Sequence, residues 1–114
     1  MHFKRNVVRK AGFIFNNGHI FDIGDNEHSV ISKKERFKNN IISYRYCDKH
    51  FSLYITIPNI KKINSAQIKA IKDLLLFYNV NEIYLIVDDK IYLFTNEKEL
   101  IRKINEKKYS KLDN

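Results

Sequence analysis

The sequence predicts an α+β domain with a mainly antiparallel sheet, built as three consecutive ββα units over residues 1–108, followed by a frayed tail over 109–114. Three observations carry this prediction. Asn16-Asn17-Gly18 and Asp88-Asp89 each separate two short β-prone runs, as tight hairpin turns do. Between residues 41 and 57 apolar and polar side chains alternate with the period of two, the mark of strands with one buried face. After each hairpin the apolar spacing changes to that of a helix.

The first unit pairs strands near 11–15 and 19–23, because Asn-Gly supplies the positive φ angles of a hairpin turn. Asp25 or Asn26 then caps a helix over about 27–38 with Val30, Ile31 and Phe37 towards the core. The second unit has strands near 41–47 and 50–57. Ile42, Tyr44 and Tyr46 share one face with Phe51, Leu53, Ile55 and Ile57, and Ser43, Arg45, Ser52, Tyr54 and Thr56 take the other. Pro58 ends the strand, and Ser65 caps a helix over 65–78 with an apolar stripe of Ile68, Ile71, Leu75 and Tyr78. The third unit has strands at 82–87 and 90–95 and a helix over 96–108. There Asn96 and Glu99 form a capping box, and Leu100, Ile101 and Ile104 face inward.

Composition narrows the function classes. The chain of 114 residues is 44% apolar, enough for one core and one domain. The apolar stretch Ile83–Val87 is far short of a membrane span, and Met1–Lys10 lacks the apolar centre of a signal peptide. Cys47 is the single cysteine, which excludes an internal disulfide and any zinc site built on two cysteines. The expectation is a protein of the cytoplasm with no membrane partner.

The formal charge is +8. Ile, Lys and Asn number 17, 16 and 13, the bias of an AT-rich genome, so the distribution of charge says more than its total. Residues 1–64 hold 12 basic and 5 acidic side chains, whereas residues 65–95 hold 3 and 4. The basic surplus lies in Lys4, Arg5, Arg9 and Lys10, then in Lys33, Lys34, Arg36 and Lys38, with Arg45 in the same half. Such groups neutralise phosphates. Tyr54, beside Arg45 on the outer face of the second hairpin, offers a stacking surface of the kind single-stranded nucleic acid uses. These ten residues are the candidate site.

Catalytic chemistry is thin. His19, Asp22 and His28 are close in sequence, yet His19 and Asp22 have opposite parity on a strand and point to opposite faces. Cys47 and His50 have the residue types of a thiolate nucleophile, with no third group to orient them. Gly18 and Gly24 enclose no basic residue, so no phosphate-cradling loop is present. No metal site and no cofactor are expected, and a non-enzyme is favoured.

Gly12-Phe13-Ile14, Asn17-Gly18-His19-Ile20-Phe21 and His28 resemble the opening of many small phage-encoded proteins of unknown function. Ser65-Ala66-Gln67 with Ile71 and Leu74 is similar to a later helix start in such proteins, although the tryptophan that often follows the glycine is missing. The resemblance implies origin in a phage or mobile element. The leading expectation is therefore a small basic binding protein without catalytic activity. Its target is a nucleic acid or a nucleic-acid-handling host complex, in the manner of an anti-CRISPR inhibitor of a defence system. The alternatives are a small ribonuclease using His19 or His28, and an assembly protein that self-associates through strand edges.

Overall fold

A computed structural model describes residues 9–24, 34 and 40–110. Its strands are β1 (Arg9–Ile14), β2 (Ile20–Gly24), β3 (Ile42–Cys47), β4 (Ser52–Thr56), β5 (Glu82–Val87) and β6 (Lys90–Phe94). Its helices are α1 (Ser65–Tyr78) and α2 (Glu97–Lys108), with a single 3-10 turn at Ile60–Lys62. The protein is α+β, and every described element falls within two or three residues of its expected place.

The six strands form one sheet in the order β2-β1-β3-β4-β5-β6. The sheet is mixed, which corrects the mainly antiparallel expectation. β4 and β5 pair parallel, Ser52 opposite Glu82 and Thr56 opposite Ile86. A parallel neighbour requires a crossover, and α1 supplies it by carrying the chain back to the end where β4 began. Sequence periodicity registers a helix between two hairpins but not the direction in which it returns the chain. The threefold ββα arrangement is not established either: of the helix expected over 27–38 only Lys34 is described, helical and exposed, and its core residues Val30, Ile31 and Phe37 lie outside the described residues.

Both helices cover the same face of the sheet. Tyr46 stacks on Tyr78 of α1 with ring centroids 4.4 Å apart, and Lys103 of α2 lies 4.9 Å over the Tyr92 ring. Tyr46 and Tyr92 share the face of Leu53, Ile55, Ile83 and Leu85 through the strand registers. One hydrophobic cluster fills this layer, with Ile14, Ile42, Leu53, Ile55, Ile71, Leu85, Leu100 and Ile104 all but sealed from solvent.

Local chemistry explains the element ends. The cap of α1 is Asn64 rather than Ser65: its Oδ1 accepts from Gln67 N–H at 2.9 Å while Gln67 Oε1 accepts from Asn64 N–H at 3.2 Å. Gln67 is fully buried, and its Nε2 donates to the Asn40 carbonyl at 2.8 Å, so this polar group in the core is satisfied. The buried stripe of α1 is accordingly Gln67, Ala70, Ile71 and Leu74, one step round from the expected stripe; Ile68, Leu75 and Tyr78 are half-buried beside it. Asn96 caps α2 by accepting from Glu99 N–H at 2.8 Å, but the Glu99 carboxylate turns to Arg102 at 2.7 Å instead of closing the box. Asp88 and Asp89 both have positive φ, 53° and 62°, as a tight two-residue hairpin turn demands. Phe51 is not an inward strand residue. It sits in the turn at φ 50° and is half exposed.

Candidate nucleic-acid interface

The face of the sheet opposite the helices carries the candidate site. Arg45 on β3 is the register partner of Tyr54 on β4, and Tyr54 is the register partner of Tyr84 on β5. The two tyrosine rings are stacked, with centroids 4.6 Å apart and planes within 8° of parallel. Parallel pairing explains the geometry, because in-register side chains on parallel neighbours lean the same way and can lie flat against each other. The stack therefore has two outer faces, one towards β3 and Arg45 and one towards β6.

Around the stack the face is mostly apolar. Tyr84 neighbours Leu93, Thr56 neighbours Ile86, and Ile86 neighbours Ile91. Ile91 and Leu93 are 64% and 52% exposed, so the β6 end of this face is left open among the described residues. Arg45 is exposed and the tyrosines are half-buried. The acidic residue on the face among the described residues is Glu82, and it is engaged: Ser52 Oγ donates to its Oε1 at 3.3 Å, and its charge acts on the Tyr84 phenol. Burial pushes the Tyr84 phenol upward, with the Glu82 charge adding to it.

The other expected site residues distribute unevenly. Lys10 is half-buried and pairs in register with Tyr46, which places it on the helix-covered face, away from the stack. Arg9 stands opposite Cys47 at the start of β1. Lys34 is exposed. Lys4, Arg5, Lys33, Arg36 and Lys38 lie outside the described residues. Of the ten candidates, the structure brings Arg45 and Tyr54 into contact range. Tyr84, Ile86, Ile91 and Leu93 were not among the candidates. In the run Ile83–Val87 every residue is apolar, so alternation, the signal that marked Arg45 and Tyr54, is absent there.

The described histidines lie at hairpin turns and the cysteine at a strand end. His19 is exposed, its N–H donates to Asn17 Oδ1 at 2.9 Å, and its ring stacks 6.1 Å from Phe15. Asp22 faces the other way. Its charge acts on Tyr44 and Tyr78: burial raises both phenols first, Tyr78 and then Asp22 add to the shift at Tyr44, and at Tyr78 Asp22 adds to it while Tyr44 works against it. The Tyr44 and Tyr78 rings lie 6.3 Å apart, and both phenols remain protonated far above neutral pH, which removes them as bases. His50 is exposed in the turn before β4 and Cys47 is half-buried at the end of β3; His28 lies outside the described residues. No group of three metal-ligating side chains occurs among the described residues, and no helix among them is long and apolar enough to cross a membrane.

Compared with known proteins, the chain matches no family model, no curated protein and no solved structure.

Proposed function

We propose that this chain is a non-enzymatic binding protein that holds single-stranded nucleic acid on the face of its sheet that carries Arg45, Tyr54 and Tyr84. The observation that carries this reading is the Tyr54–Tyr84 stack beside Arg45 on a face that no described helix covers. Unpaired bases have free π faces that stack on tyrosine, and a guanidinium alongside meets the phosphate or caps the base. The +8 charge supplies the long-range attraction. In a phage or mobile-element setting, such binding acts against a host complex that handles nucleic acid, as an anti-CRISPR-like inhibitor does.

Fluorescence anisotropy with labelled single-stranded RNA, single-stranded DNA and a matched duplex tests the proposal. Single strands are expected to bind more tightly than duplex, with affinity falling between about 50 and about 200 mM salt. Equal affinity for duplex, or binding unchanged by Tyr54→Ala and Tyr84→Ala together, refutes it. Cleavage of the RNA that disappears in His19→Ala or His28→Ala favours the ribonuclease instead.

A further inference from the structure

β6 is an outer strand of the sheet, and among the described residues it shows neither a bulge nor a proline to guard its edge. Its register against β5 is regular from Ile83 opposite Phe94 to Val87 opposite Lys90, with no bulge. It contains no proline, and its one charge, Lys90, stands at its first residue. The other outer strand, β2, differs: its pairing with β1 is broken by a register shift at Ala11/Gly12, and Asp22 sits mid-strand. The sequence Lys90-Ile91-Tyr92-Leu93-Phe94 is rich in β-formers, and Ile91 and Leu93 are its exposed pair.

We infer that β6 pairs antiparallel with β6 of a second copy of this chain, about a twofold axis at Tyr92. The strand is self-complementary in that register. Ile91 of each copy then faces Leu93 of the other, while Lys90 faces Phe94 and Tyr92 faces Tyr92. On the open side the pairing joins Tyr84 and Leu93 of one copy to Ile91 and Ile86 of the other, twice over, so the exposed apolar side chains cover each other. On the helix side each Tyr92 already carries Lys103 at 4.9 Å and Lys107 at 5.7 Å, which keeps that side of the seam polar.

Charge selects a second copy as the occupant. The protein carries +8, which opposes its own association, but that surplus stops before this edge. Residues 1–81 hold 14 basic and 6 acidic side chains; residues 82–114 hold 7 of each. Two copies therefore meet through the neutral part of the chain, with Lys10 of β1 and Arg45 of β3 set back from the seam by the strands between.

Sedimentation equilibrium of the full chain tests this, with far-UV circular dichroism to check folding. The wild type is expected at twice the 13.7 kDa of one chain. Ile91→Lys alone and Leu93→Glu alone are expected to weaken the dimer by about tenfold or more, since each places an unmatched charge opposite an apolar side chain. The double variant Ile91→Lys/Leu93→Glu is expected to recover it, because every new lysine then faces a glutamate of the second copy. In a Cys47→Ser background, Tyr92→Cys is expected to oxidise to a covalent dimer, since position 92 meets itself on the axis. Wild type at single-chain mass up to about 100 µM overturns the inference. So does open-ended aggregation, or a double variant no better than the single ones. None of these readouts depends on nucleic-acid binding.

Discussion

Tyr44 lies across Gly12. The two are register partners on β3 and β1, and a Cβ on residue 12 would come within 2.5 Å of both the Tyr44 ring and the Phe21 carbonyl. The glycine is therefore required by the ring above it rather than by a turn. It also coincides with the register shift in the β1–β2 pair. Gly12→Ala is expected to destabilise the fold by about 1–3 kcal/mol, the range for overpacking a closed site, read as a lower urea midpoint at unchanged slope.

The same tyrosine sets a pH dependence. Tyr44, Tyr46 and Tyr78 all have phenols raised above their ordinary value of 10.0, chiefly by burial. Above about pH 10 the unfolded chain loses these protons while the folded chain keeps them, so the unfolded state binds fewer protons and stability falls as pH rises. Below that value the contribution is constant. Urea midpoints measured from pH 8 to pH 11 are expected to fall through the upper half of this range. Tyr44→Phe is expected to make the fall shallower, since it removes one of the raised phenols.

Most of the fold was legible because its signals are local. Asn17-Gly18 and Asp88-Asp89 announce their turns, and Ile42-Ser43-Tyr44-Arg45-Tyr46 announces both its strand and its inward face. What stayed hidden was non-local. The parallel β4–β5 pairing depends on the path of α1 across the sheet, and no dipeptide encodes that path. Phe51 departs for a local reason: the turn runs on through it at φ 50°, so β4 starts at Ser52 rather than near residue 50. At the candidate site, Arg45 and Tyr54 could be read from alternation. Tyr84 could not, because it becomes Tyr54's neighbour only through that parallel register.

Asn64 joins two parts of the molecule. Its Oδ1 caps α1 through Gln67 N–H, and its Nδ2 donates to the Asn16 carbonyl at 2.7 Å, tying the β1–β2 turn to the helix start. Gly18 in the same turn approaches so closely that a Cβ would lie 2.8 Å from the Ala66 carbonyl. Asn64→Ala is expected to cost about 1–2 kcal/mol for the cap and to free the turn as well. Amide exchange checks this: protection should drop at Gly18 and over the first turn of α1, and not at Leu85.

Stacking and charge contribute to binding in separable ways. Losing one tyrosine of the Tyr54–Tyr84 pair removes a π surface but no cation, so Tyr54→Ala is expected to lower affinity for a single strand by about 1–3 kcal/mol while leaving the slope of log affinity against log salt unchanged. Reversing Lys34 or Arg45 to glutamate is expected to reduce that slope by about one per lost phosphate contact, with the loss greatest at low salt. Reversing Lys33, Lys34 and Arg36 together should magnify the second pattern with little effect on folding. The acidic control requires choice. Glu82 is held by Ser52 and its charge acts on Tyr84 on the candidate face, so its reversal would disturb the stack itself. Asp73, Asp88 and Asp89 are exposed and serve instead. Anisotropy titrations across a salt series distinguish the outcomes. A tyrosine variant that alters the slope, or an Arg45 reversal that leaves it untouched, places the contact away from β3–β5.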